Sequence, residues 1–182
     1  MRDRIKNVCV YGASSKNLEK SYIDAAFQLG ALLGSKGINV INGAGNFGLM
    51  RAISDGALSV GGTATGIIPT FMIEREWLHK GLTNVIQVDT MHERKHKMAE
   101  MADGIVACPG GYGTFEELLE VIAWRQLGIY DSKIVILNTN DYYRPLLDMF
   151  AKGKKEGFIH TEDDTLWNVA DTPEEAVELL LN

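Results

Sequence analysis

At 182 residues, 46% hydrophobic and 23% charged, the chain can build one well-buried globular domain and is short for two. Its net charge of −6 argues against a general binder of nucleic acid or of a membrane surface. No apolar run approaches the roughly 20 residues that a membrane span needs.

Much of the acid lies late: residues 161–182 hold Glu162, Asp163, Asp164, Asp171, Glu174, Glu175 and Glu178 without a Lys or Arg, and read as a solvated face. Cys9 and Cys108 sit in apolar, strand-like runs, so buried thiols in a reducing compartment are expected rather than a disulfide. Met1-Arg2-Asp3-Arg4 leads straight into a strand with no signal-peptide pattern, and the expected location is the cytoplasm.

The first strand is predicted over 7–11, followed by the small-residue turn Gly12-Ala13-Ser14-Ser15 and a helix over 21–35 that ends at Lys36-Gly37. A second strand over 38–41 runs into the glycine turn Gly43-Ala44-Gly45-Asn46-Phe47-Gly48 and a helix over 49–58. The third strand, 63–68, is stopped by Pro69. Residues 72–81 have no clear period and read as a loop with one helical turn. A strand over 84–88 and a charged helix over 92–102 follow. The fifth strand, 104–108, leads into Pro109-Gly110-Gly111-Tyr112-Gly113-Thr114 and a helix over 115–127. A sixth strand is expected over 133–137 and a helix over 143–156, closed by Gly157. The last helix opens on Thr172-Pro173-Glu174-Glu175, a capping box with proline at the first helical position. This alternation predicts a single α/β domain with a doubly wound parallel sheet covered on both faces. In such sheets ligands sit at the carboxyl ends of the strands, where the three small-residue turns would converge.

The turn at 109–114 carries the strongest chemical signal. Its glycines let the backbone turn sharply, and a bare turn opening a helix is an anion site because unpaired N–H groups and the helix dipole both favour negative charge. Glu117 lies one turn further on. Thr114-Phe115-Glu116-Glu117 is itself a capping-box pattern, however, so spacing alone leaves Glu117 evenly placed between a helix cap and a chemical role. The neighbouring anion site and a candidate cation, Arg94, favour the chemical role, with Arg94 expected to keep the carboxylate ionised.

Two other patterns carry weaker signals. The turn at 43–48 matches G-x-G-x-x-G, but the acidic residue expected roughly 20 positions on is absent from Ile67-Ile68-Pro69-Thr70, which argues against a nicotinamide dehydrogenase. A second helix N-terminus facing the same ligand is the better functional reading, with a tight packing turn as its plain alternative. His92-Glu93-Arg94-Lys95-His96 matches the zinc motif H-E-x-x-H, but two cations beside a dication disfavour it. An exposed polar helix is the better reading, and better still is one whose Arg94 and Lys95 reach an anion at the strand ends. Ile73-Glu74-Arg75-Glu76-Trp77 is a solvated loop or a substrate lid.

Met91-His92-Glu93-Arg94-Lys95 together with Pro109-Gly110-Gly111-Tyr112-Gly113-Thr114-Phe115-Glu116-Glu117 resembles the LOG family of cytokinin riboside 5′-monophosphate phosphoribohydrolases. The resemblance runs from Gly12-Ala13-Ser14-Ser15 through Gly48-Leu49-Met50 and Arg75-Glu76 to Gln126-Leu127-Gly128. It implies a Rossmann-like fold, a homodimer, and hydrolysis of the N-glycosidic bond of an adenine-type nucleoside monophosphate, with no cofactor or metal. By position, it implies a catalytic pair of Arg94 and Glu117. The phosphate loop would comprise Gly110, Gly111, Tyr112, Gly113 and Thr114, with help from Ser14 or Ser15. Gly45, Glu76 and Lys95 would be further substrate contacts. Ala44 and Arg51 stand where the family's glycine turn has two more glycines, Ala123 where many members have threonine, and Gly12-Ala13 where Cys-Gly is commoner. These departures leave the implied pair intact and bear on the preferred base. A non-catalytic nucleotide-sensing module on the same scaffold would need the glycine loops but neither Arg94 nor Glu117. Members are often labelled "lysine decarboxylase", but that chemistry needs pyridoxal phosphate on a lysine, and no lysine here has a recognisable setting for it.

Overall fold

Short runs of β-branched and small apolar residues form the strands β1 (Asn7–Tyr11), β2 (Asn39–Asn42), β3 (Ala64–Pro69), β4 (Asn84–Val88), β5 (Gly104–Ala107), β6 (Lys133–Leu137) and β7 (Asn168–Ala170). Between them run α1 (Lys20–Ser35), α2 (Gly48–Ser59), α3 (Thr70–Glu74), α4 (Met91–Glu100), α5 (Tyr112–Gln126) and α6 (Arg144–Lys155), with α7 (Pro173–Leu181) last. The structure, a computed structural model, describes residues 5–159 and 166–182; Met1 to Arg4 and the acidic Glu162, Asp163 and Asp164 lie outside the described residues.

All seven strands are parallel, in the order β4-β3-β2-β1-β5-β6-β7. The chain winds outward from β1 to β4, crosses back through α4, and winds outward again from β5 to β7. The order therefore reverses between β1 and β5, and their carboxyl ends form the crevice of the sheet. Alternation along each strand divides the core. Val8, Val10, Val40, Val106 and Val135 face α1, α2 and α7, whereas Cys9, Tyr11, Ile41, Ile105 and Ile134 face α4, α5 and α6. The expected doubly wound sheet is thus the observed one.

Two expectations need correction. A seventh strand, β7, was not foreseen: it has three residues, starts on a polar Asn168, and exists only through its register with β6. The single helical turn expected within the loop 72–81 is α3, which starts two residues earlier, directly after Pro69, whose extended backbone serves as the N-cap. The helix predicted from Phe115 begins at Tyr112, with consequences for the site described below. The C-terminal cap is as expected: the Thr172 hydroxyl accepts from the Glu175 N–H at 3.2 Å, and the Glu175 carboxylate accepts from the Asp171 N–H at 2.8 Å.

The α1–α2 contact fixes the side of the crevice that carries the first two turns. A Cβ at Gly30 would lie 2.0 Å from the Ile53 carbonyl oxygen, and one at Gly56 would lie 2.0 Å from that of Phe27. The two helices therefore touch backbone to backbone, and only glycine permits it. Gly30→Ala is expected to lower unfolding free energy by at least ~1–3 kcal/mol through overpacking, although alanine is the better helix former by about 1 kcal/mol. A urea midpoint equal to or above that of the wild type would show that the contact does not constrain the fold.

Candidate active site

The turn after β5 presents a bare helix start. Gly111 is the N-cap, with φ −98° and ψ −154°, and the first amide bonded inside α5 is that of Phe115, which donates to the Gly111 carbonyl at 3.0 Å. The amides of Tyr112, Gly113 and Thr114 precede that bond and have no acceptor within the helix. Gly111 and Gly113 are exposed, and the Tyr112 ring is 94% exposed. A Cβ at Gly111 or Gly113 would meet nothing within 4 Å, so protein packing does not require glycine there. Gly110 differs, since its Cβ would lie 2.1 Å from Thr114 Oγ1. Thr114 itself is buried inside the helix. Because the helix starts three residues early, Thr114 is not its cap, no side chain caps α5, and the capping role open to Glu117 disappears.

Glu117 instead faces Arg94 across the layer between α5 and α4, with Arg94 Nη1 3.6 Å from Glu117 Oε1. Arg94 is only 6% exposed. Its Nε donates to the Ile67 carbonyl and its Nη2 to the Gly43 carbonyl, both at 3.2 Å. The guanidinium is thereby tied to β3 and to the end of β2 while its third nitrogen addresses the carboxylate. Burial pushes the Glu117 carboxyl up to about 7 against the downward pull of Arg94, with Glu116 and Glu120 adding to the rise and Lys95 opposing it. Arg94 was expected to keep this carboxylate ionised; it does favour the charged form, but desolvation is the larger effect. A carboxyl poised near neutrality can both carry charge and exchange a proton. Buried Cys9 and Tyr11 line the same core face, and burial raises both groups well above their ordinary values, leaving them neutral.

The other expected site residues fall into two groups. Ala13 donates its N–H to the Pro109 carbonyl at 3.2 Å, which brings the first turn, with its exposed Ser14 and Ser15, against the turn at 109–114. Glu76 is exposed and in the left-handed region at φ 59°, on a segment tied to the second glycine turn by Asn46 N–H to Trp77 O and His79 N–H to Ala44 O, both 2.9 Å. Gly45, in contrast, is buried beneath Met50. The α2 terminus is also not a bare anion site, because the Leu49 and Met50 amides both donate to the Ala13 carbonyl, at 2.8 and 3.3 Å. The packing alternative for that turn is the one the structure supports. Lys95 turns to α5, where its ammonium binds the carboxylates of Glu116 and, at 3.2 Å, Glu120. Partial burial would lower its pKa, but those bonds outweigh it and raise the value.

In the H-E-x-x-H segment, the Thr90 hydroxyl accepts from the Glu93 N–H and the Glu93 carboxylate accepts from the Asp89 N–H, while His96 packs edge-on against Trp124. Among the described residues, no group of three or more His, Cys, Asp or Glu is placed to hold a metal ion. A separate cleft of about 390 Å³ opens beside α1 and α2, but its Lys16 lies 4.1 Å over the Phe47 ring and its Arg51 is paired with Asp55.

Two supporting residues escaped sequence reasoning. Asn42 is buried and holds the second turn through its side chain, accepting from the Ala44 N–H and donating to Met50 O and Ser54 Oγ. Gly43 leaves the space that the Arg94 guanidinium fills: a Cβ there would lie 1.6 Å from Nη2. The G-x-G-x-x-G pattern marked Gly43, but for a dinucleotide rather than for an arginine.

A family described as "Possible lysine decarboxylase" matches residues 50–180. The chain is 42% identical, over 99% of its length and 74% of the relative's, to a "probable cytokinin riboside 5′-monophosphate phosphoribohydrolase" of Oryza sativa subsp. japonica. It is 41% identical to a cytokinin riboside 5′-monophosphate phosphoribohydrolase of Arabidopsis thaliana, over 99% of this chain and 79% of that one. Among solved structures, the molybdenum cofactor carrier protein of Chlamydomonas reinhardtii superposes with a TM-score of 0.74 over 98% of this chain and 100% of that one. At 20% identity, the match is a likeness of fold.

Gly43→Ala tests the seat of Arg94. The clash is with the end of a side chain, so the fold should persist with a far-ultraviolet circular dichroism spectrum like that of the wild type. The guanidinium should be displaced from Glu117, and any turnover dependent on the pair should fall at least ~10-fold, as expected when a positioned charged group is lost. Full activity in a folded Gly43→Ala protein would show that the Arg94 position is not needed.

Proposed function

Because this chain belongs to the LOG family, we propose that it hydrolyses the N-glycosidic bond of cytokinin riboside 5′-monophosphates, releasing the free base and ribose 5-phosphate. The observation that carries this reading is the buried Arg94–Glu117 pair beside a helix start with unbonded amides. Glycine at 111 and 113 has no packing cause, so a ligand drawn close to those amides is the physical reason for it.

The Gly111 to Thr114 segment holds the 5′-phosphate, with Ser14 or Ser15 closing over it, and supplies binding energy remote from the reacting bond. Cleavage of the C1′–N9 bond builds oxocarbenium-like charge on the ribose. Glu117, ionised, stabilises that charge and takes a proton from the attacking water; its burial makes the field strong and sets its pKa near the working pH. Arg94 fixes the orientation of Glu117 and favours its charged form. Glu76, on its anchored loop, is a further substrate contact. Lys95 acts indirectly, by neutralising Glu116 and Glu120. No step requires a metal or an organic cofactor. The family's decarboxylase label would need pyridoxal phosphate on a lysine, and no lysine of the sequence has a recognisable setting for it. A module that only sensed nucleotide would need the loop and not a buried carboxylate opposite a guanidinium.

AMP is included as a substrate, since the reacting bond is the same with or without an N6 substituent. The working unit is a homodimer, supported by the apolar surface at and beyond the end of α5, where Leu127 is 71% and Ile129 70% exposed. Its location is the cytoplasm, supported by two free buried cysteines; among the described residues no helix is long and apolar enough to cross a membrane.

Chromatography of free base released from AMP and from isopentenyladenosine monophosphate tests the activity. Wild type should release base, whereas Glu117→Gln should stay folded, bind nucleotide and lose turnover by at least ~100-fold, the size of a general-base contribution. Wild-type rates in that variant would sink the assignment. For the wild type, kcat/KM should rise with pH and level off above about 7, because Glu117 is neutral below its raised pKa. In Arg94→Ala the residual activity should show this limb at higher pH, since the guanidinium is what pulls the value down. A limb that stays in place would assign it to another group, such as the substrate phosphate.

For the dimer, light scattering on a sizing column should give twice 20.1 kDa for the wild type and the single value for Leu127→Asp/Ile129→Asp. A monomeric wild type, or a double variant that still dimerises, would remove this face from the proposal.

A further inference from the structure

We infer that Tyr142 and Tyr143 are positioning residues for the phosphate loop, holding its carbonyls inward so that its amides face a phosphorylated ligand. Three consecutive carbonyls before α5 are each fixed by a donor from another part of the chain. The Tyr143 hydroxyl donates to the Cys108 carbonyl at 2.8 Å, the Ala13 amide donates to that of Pro109 at 3.2 Å, and the Tyr142 hydroxyl donates to that of Gly110. A peptide plane carries its C=O and the following N–H on opposite sides. Pinning the Gly110 carbonyl therefore turns the Gly111 amide outward, and the free amides of α5 follow from there.

The corner that delivers the two tyrosines is built at a conformational cost. Between β6 and α6, Asn140 and Asp141 are both left-handed, at φ 55° and 58°. A left-handed residue with a Cβ is disfavoured, least so for Asn and Asp, and persists where its surroundings enforce it. Here buried Asn138 enforces it: its N–H donates to Ala170 O at 2.7 Å, its Nδ2 to Asp141 Oδ1 at 3.0 Å, and its Oδ1 accepts from the Tyr143 N–H at 2.7 Å. The rings are then locked by one another and by Phe115 of α5. Tyr142 stacks on Phe115 and meets Tyr143 and Tyr22 edge-on, while Tyr143 meets Phe115 edge-on. Burial raises both phenols above their ordinary pKa, so they remain neutral donors across the working range.

This inference rests on the phosphate-binding reading of the loop, and its test separates the two. Tyr142→Phe removes one hydroxyl and keeps the stacked ring; Tyr143→Phe does the same in the core. Inorganic phosphate and ribose 5-phosphate are titrated by calorimetry into wild type and variants, and kcat and KM are measured with AMP and with unphosphorylated adenosine. Tyr142→Phe should keep its melting temperature and kcat but weaken phosphate and ribose 5-phosphate binding and raise KM for AMP by about 5- to 10-fold, the loss of one hydrogen bond's worth of positioning. Its kinetics with adenosine should match those of the wild type. Unchanged phosphate affinity in a folded Tyr142→Phe protein, or an equal effect on adenosine, would overturn the inference. If Tyr143→Phe does not fold, Tyr142→Phe alone decides. A wild type that binds neither phosphate nor ribose 5-phosphate would instead overturn the reading of the loop.

Discussion

A guanidinium taken out of water must find acceptors, and the structure is arranged around that demand. Arg94 meets it with two backbone carbonyls from different strand ends and one carboxylate. The Gly43 carbonyl lies just beyond β2, and that of Ile67 lies one residue past the last register pair of β3 with β2, Asn42 with Gly66. Gly43 must lack a side chain, and Asn42 must hold the turn that carries it. The arginine thus converts the ends of β2, β3 and α4 into one rigid wall, and Glu117 arrives on that wall from α5.

The parallel sheet was legible because its strands are short apolar runs separated by helices of the right length. Both glycine turns and the last helix cap were legible because their residues have strong local reasons to be there. β7 was not: three residues beginning with Asn168 carry too little pattern, and only the exposed edge of β6 makes them a strand. The role of Gly43 was hidden for a different reason. Its motif was visible, but the group that needs the space lies 51 residues away in sequence. Tyr142 and Tyr143 were equally silent, since a tyrosine pair after a strand has no signature until the loop it supports is in place.

Thr114 shows how a correct local rule can mislead. Thr114-x-x-Glu117 satisfies the capping-box pattern, and in isolation threonine would start the helix. The chain instead starts it at Tyr112, with Gly111 as an N-cap that offers no side chain. A side-chain cap would place an oxygen over the same amides that an anion needs. Leaving the terminus uncapped forgoes ~1 kcal/mol of helix stability and keeps those donors available. The α2 terminus took the opposite course, giving its amides to Ala13, and so became scaffold rather than site.

The remaining question is why a carboxylate facing an arginine should titrate near neutrality at all. At 3.6 Å the pair is longer than a hydrogen bond, so Arg94 acts on Glu117 mainly through its field, while two backbone carbonyls share the guanidinium. Burial raises the carboxyl more than that field lowers it. Glu116 and Glu120 flank Glu117 on the same helix, and uncompensated they would push it further up. Lys95 lies between them and binds both, which limits their repulsion without placing a second cation on Glu117 itself. The two cations of the Arg94-Lys95 dipeptide therefore act on one titration from different distances. Arginine, with its planar fork, suits the buried post with three acceptors in different directions, and lysine, a compact point charge, suits the place between two carboxylates of one helix.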